Sequence, residues 1–159
     1  MGAPPSKSKK PSGGNEHSLS QPDEFTLYLD ENLCNARVIL TTLEKLGVRF
    51  ERHLDHFSRG TADETWLPHV GSKRWILLTT DKRIRYNFIE KRALERNGVR
   101  EFVFASGNMS GREMATALEI ALRKMRKFCR QFQPPFVAAI TRSGEVHMRW
   151  PKRRAKQIR

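Results

Sequence analysis

The sequence predicts an α/β fold: a three-layer α/β/α sandwich with a mostly parallel central sheet and a C-terminal β-hairpin. Three observations carry that expectation. Short apolar runs recur between Phe25 and Trp150, and stretches of helical period separate the first four of them. Strands joined by crossover helices run parallel, with right-handed connections. One run, WILLTT (Trp75–Thr80), is nearly continuously apolar, as suits a strand buried on both faces inside a parallel sheet.

FTLYL (Phe25–Leu29) is the first strand, and it ends at Asp30. Residues 32–46 place Leu33, Ala36, Arg37, Leu40, Leu43 and Leu46 at near-helical spacing, with Gly47 closing the helix. VRFERH (Val48–His53) is a second strand in which Val48, Phe50 and Arg52 alternate with polar partners. A turn-rich stretch, DHFSRGT, leads to a helix over about 62–73, for which Thr61 and Glu64 form a capping box. WILLTT follows and ends at Asp81. A helix carrying Ile84, Phe88, Ile89, Arg92 and Leu94 then closes at Asn97 and Gly98.

VREFVFA (Val99–Ala105) is the fourth strand, and a Gly-containing loop comes after it. Ser110 with Glu113 is a further capping box, opening the longest helix, which runs to about Phe132. Met114, Leu118, Ala121, Leu122, Met125, Phe128 and Phe132 form its apolar stripe. Its other face carries Arg112, Arg123, Lys124, Arg126, Lys127 and Arg130, until Pro134 and Pro135 stop the helix. FVAAITRSGEVHMRW reads as a hairpin around Ser143 and Gly144.

The 159 residues fit one domain over 23–150, flanked by basic tails at 1–22 and 151–159. The first tail is rich in Pro, Gly, Ser and Lys and holds too little apolar surface to offset the entropy of ordering it. Thirty Lys and Arg against 17 Asp and Glu leave a net charge of +13, which favours polyanionic partners. Cys34 and Cys129 lack metal or disulfide spacing and read as buried thiols of a reducing compartment. No apolar run is long enough to span a membrane and no secretory signal is visible, so a cytoplasmic, non-membrane protein is expected.

In open α/β sheets ligands bind beyond the carboxyl ends of the strands. Asp30 and Asp81 both stand at such ends, and Asp63 and Glu64 open the helix between them. Clustered carboxylates of this kind suit a hard cation, Mg2+ or Mn2+, able to support phosphodiester hydrolysis. The same residues also suit helix capping and a favourable helix-dipole contact, and the sequence leaves both readings open. Lys82, Arg83 and Arg85 follow Asp81 and would place cations on the rim for phosphate. Asn108 lies in a loop after a strand and before a helix N-terminus, another place where phosphate binds. HLDH (His53–His56) has no third ligand at zinc spacing and reads as a surface stretch. No phosphate-binding glycine loop is present.

LDEN (Leu29–Asn32), TADETWLPHVGSKRWILLTTDKRIR (Thr61–Arg85), GVREFVFASGNMSG and PPFVAAITRSG together resemble the PIN-like domain family. The likeness is greatest to compact PIN-like proteins grouped with the toxin ribonucleases of toxin–antitoxin pairs. It implies a PIN-like sandwich and a metal-dependent endoribonuclease, with Asp30, Asp63 and Asp81 as catalytic, metal-binding acids. Glu64 or Glu31 would be an auxiliary acid; RNA, an antitoxin protein and a second copy of the chain would be partners. The further acid that the family carries between first strand and acidic pair has no clear match, since Glu44 is the only acid in the first helix. The alternative is a non-catalytic nucleic-acid-binding module with a degenerate site, its phosphate contacts made by the basic helix and tails.

Overall fold

Leu27 and Leu29 point to one side of the first strand and Tyr28 to the other, and all three are fully buried. A strand packed on both faces needs a layer of helices on each side. The computed structural model, which describes residues 25–80 and 88–152, supplies them. The elements are β1 (Thr26–Leu29), α1 (Arg37–Lys45), β2 (Arg49–Arg52), a 3-10 turn (His53–Asp55), α2 (Asp63–Ser72), β3 (Ile76–Thr79), α3 (Phe88–Asn97), β4 (Arg100–Phe104), α4 (Gly111–Gln131), β5 (Phe136–Ile140) and β6 (Val146–Trp150). The strands form one sheet in the order β2-β1-β3-β4-β5-β6. The first five strands are parallel, and β6 pairs antiparallel with β5 as the expected hairpin.

The period of two along each strand divides the core. Leu27, Leu29, Ile76, Leu78, Phe102, Phe104, Phe136 and Ile140 face α1 and α4, meeting Ile39, Leu43, Leu118, Met125 and Phe128. Tyr28, Leu77, Val103, Val137 and Ala139 face the other way, onto Trp66, Leu67 and Val70 of α2 and Leu94 of α3. The expected three-layer sandwich is therefore the observed one. Among the described residues no helix is long and apolar enough to cross a membrane.

Two local expectations are corrected. The first helix begins at Arg37 rather than at residue 32, because Asp30 folds the chain into turns over 31–35. Its side-chain Oδ1 accepts from the backbone N–H of Asn32 and of Leu33, and its carbonyl accepts from Leu33 and Cys34. The capping box at Thr61 and Glu64 does not form. Ala62 is the N-cap of α2 and has no side-chain acceptor, while the Thr61 hydroxyl donates back to the Ser58 carbonyl at 2.7 Å. The capping box of α4 does form: Ser110 Oγ accepts from Glu113 N at 3.1 Å, and Glu113 Oε1 from Ser110 N at 2.9 Å. Cys34 is buried as expected but in the turn, whereas Cys129 on α4 is only half-buried, its thiol pushed up to about 11 by burial.

Phe102 packs edge-on against Phe128 and Phe136, with ring centroids 5.9 and 5.6 Å away. Phe102→Ala should lower unfolding free energy by about 3–5 kcal/mol in urea titration, through lost burial and the cavity left behind. The Ser110 amide, and then the Arg142 guanidinium, hold the Glu113 carboxyl below its ordinary 4.5. A carboxyl with a depressed folded pKa stabilises above the unfolded value and loses that contribution as pH falls through the folded one. Glu113→Gln should therefore flatten the fall in Tm below about pH 4.5 that the parent chain shows.

Candidate functional site

The sheet register places the site. Leu29 pairs with Arg52 of β2 on one side and with Leu78 of β3 on the other. The next residue, Asp30, thus stands level with His53 and Thr79 at the carboxyl ends of three adjacent strands. The chain leaves β1 toward β2 and returns on the opposite side as β3, so this edge is the topological switch point where α/β sheets bind ligands. Here a cleft of about 300 Å³ is lined by Asp30, Glu31, Asn32, His53, Gly60, Thr61, Asp63 and Trp66.

Asp30 is 7% exposed. Besides the two turn amides on Oδ1, at 3.1 and 3.0 Å, its Oδ2 accepts from the Thr79 hydroxyl. The side chain therefore does cap a structure, a turn rather than a helix, and it presents its carboxylate at the cleft as well. Asp63, half-buried, opens α2, where a carboxylate also complements the helix dipole. Glu31 crosses between the walls. Its Oε1 accepts from the Gly60 N–H at 2.9 Å, and its Oε2 lies 3.6 Å from the Arg59 guanidinium.

Asp30, Asp63 and Glu31 are thus brought together, and Glu64 is not: it is exposed on α2 and does not line the cleft. Asn108 is exposed in the loop after β4, where its N–H reaches Ser106 Oγ at 3.3 Å, away from the cleft lining. Asp81, Lys82, Arg83 and Arg85 lie outside the described residues.

His53 is the residue that sequence reasoning missed. It is 1% exposed, and it lines the cleft instead of lying at the surface. Its Nδ1 is 2.5 Å from the Tyr28 hydroxyl, and its Nε2 is 4.0 Å from Glu31 Oε1. Burial pulls the imidazole below its ordinary range, against the opposing pull of the Glu31 carboxylate. His56, by contrast, stays at the surface with Glu51 at 2.8 Å. The signal was available: His53 ends its strand as Asp30 ends the neighbouring one. Behind it Tyr28 stacks between Trp66 and Trp75, with centroids 5.6 and 5.8 Å away, and makes a rigid aromatic wall.

Apart from His53, the polar side chains of the cleft offer oxygen, the donor set of a hard cation. Among the described residues no three His, Cys, Asp or Glu side chains gather closely enough to hold a metal ion. The donor chemistry fits Mg2+ or Mn2+, and a complete ligand set would need a carboxylate such as Asp81.

A family model described as PIN like domain matches residues 26–106, just over half of the chain, spanning β1 through β4 and the whole cleft. The chain belongs to that family. No curated protein and no solved structure matches it.

The two roles of Asp30 separate by substitution. Asp30→Asn keeps a carbonyl oxygen for both turn amides and should stay folded. Asp30→Ala leaves a buried N–H short of its side-chain acceptor and should be less stable than Asp30→Asn by on the order of 1–3 kcal/mol in chemical denaturation.

Proposed function

We propose that this member of the PIN-like family is a metal-dependent endoribonuclease that hydrolyses RNA phosphodiester bonds at the Asp30 cleft. PIN-like domains are typically nucleases. The observation that carries the reading is the meeting of Asp30, Asp63 and Glu31 in one cleft at the switch point of the sheet. Asp30, Asp63 and Asp81 would hold Mg2+ or Mn2+, with Glu31 rather than Glu64 as the auxiliary acid. Bound there, the ion would supply Lewis-acid charge for phosphodiester cleavage.

The chain's own groups do the rest. Thr79 and the amides of Asn32 and Leu33 hold the Asp30 carboxylate in one orientation. Lys82, Arg83 and Arg85 would bind substrate phosphates on the rim, and the net charge of +13 draws the polyanion to the surface. Asn108 is a further phosphate contact only for RNA that extends past the cleft along the strand ends. The biological setting implied by the sequence likeness is a toxin role opposed by an antitoxin protein. Growth arrest on induced expression, relieved by Asp30→Asn, is its measure.

The absence of a three-ligand cluster among the described residues favours one second reading, a nucleic-acid-binding module with a degenerate site. Cleavage of unstructured RNA in Mn2+ decides between them. Asp30→Asn and Asp63→Asn should each lower the rate at least a hundredfold while RNA binding persists, and EDTA should abolish cleavage. Binding without cleavage in the parent chain, or full activity in both variants, would overturn the nuclease reading.

A further inference from the structure

A hydroxyl and an imidazole behind the cleft are wired in one direction. The Tyr28 phenol is fully buried, and burial raises its pKa well above the ordinary value, so it keeps its proton. Its hydrogen-bond partner among the described residues is His53 Nδ1, so the phenol donates and Nδ1 accepts. A neutral imidazole that accepts at Nδ1 carries its own proton on Nε2. That Nε2 is sealed from solvent and has no hydrogen-bond partner, yet a cleft carboxylate oxygen, Glu31 Oε1, stands 4.0 Å from it.

An N–H···O bond closes at about 3 Å, so the carboxylate is roughly 1 Å short of the donor. A buried donor without an acceptor costs on the order of 1–3 kcal/mol, which favours closing that gap. What holds Glu31 back is visible on the opposite wall: the Gly60 N–H takes Oε1 and the Arg59 guanidinium draws Oε2. The same carboxylate is thus shared between an outward pair of partners and an inward donor.

We infer that Tyr28 and His53 form a positioning relay, phenol to imidazole to carboxylate, that fixes Glu31 as the auxiliary acid of the cleft. The inference rests on the proposed nuclease reading for its purpose, but the relay itself is a property of the chain. His53 acts through Glu31, since its Nε2 is covered from any ligand. Such outer partners orient a carboxylate and so set how well it meets a cation or a phosphate-bound water. The alternative is a histidine that only fills space among Trp66 and Phe57.

Nitrogen-15 NMR of the histidine rings in the full, metal-free chain tests the relay directly. We expect His53 as the Nε2-protonated tautomer, with an Nε2 resonance that moves on Glu31→Gln and a tautomer that is lost in Tyr28→Phe. A proton on Nδ1, or an Nε2 signal indifferent to Glu31→Gln, would overturn it. Mn2+ affinity of the full chain gives the second readout. His53→Phe should weaken it about tenfold, His53→Gln, which keeps a donor near the Nε2 position, should restore most of the loss, and His53→Phe should add nothing in a Glu31→Ala background. An undiminished penalty in that background assigns His53 a packing role and rejects the relay. A parent chain that shows the expected tautomer but neither binds Mn2+ nor cleaves RNA sinks the nuclease reading and leaves the relay standing.

Discussion

The interaction on which the site depends is the set of hydrogen bonds converging on Asp30. A carboxylate almost wholly removed from water persists only where donors or cations replace its hydration. Here the Thr79 hydroxyl comes from the neighbouring strand and the amides of Asn32 and Leu33 from the turn that Asp30 itself creates. One side chain thereby ties β1 to β3, sets where α1 can begin, and orients a negative group at the edge of the sheet. Structure and chemistry share a residue, and capping need not be weighed against function.

Around that anchor the two faces of the sheet do different work. The face under α1 and α4 is aliphatic and phenylalanine-rich, and it contributes close packing. The opposite face carries Tyr28, Trp66 and Trp75, stacked in near-parallel planes beside His53. Aromatic rings bury much area and still offer a polar edge, so this layer can seal the back of a polar cleft while holding a hydroxyl and an imidazole in place. The acid cleft sits over that side, where α2 enters with Asp63 in its first turn.

The charge pattern joins these parts. The chain as a whole is strongly basic, whereas the cleft gathers Asp30, Glu31 and Asp63. A basic surface around an acidic pocket suits a polyanion held outside and a small cation held within. Arg59, on Glu31, is the described cation closest to that boundary, and it links the loop before α2 to the end of β1.

Sequence periodicity alone determined the fold class, the six strands, the C-terminal hairpin and the capped start of the longest helix, because each rests on local spacing that one segment carries by itself. It also placed Asp30 at a strand end and Asp63 at a helix start. Tertiary structure decided what those positions meet. The strand order put Asp30 between His53 and Thr79, and no local pattern encodes which strands become neighbours. Thr61 and Glu64 have capping-box spacing, yet Thr61 turned back to Ser58 and Ala62 became the cap, since the chain must reach α2 from the Glu31–Gly60 contact. His53 in HLDH looked like a surface residue because burial of a polar side chain depends on partners 25 residues away. A carboxylate can be found from its place in a strand; the company it keeps is settled only when the strands are laid side by side.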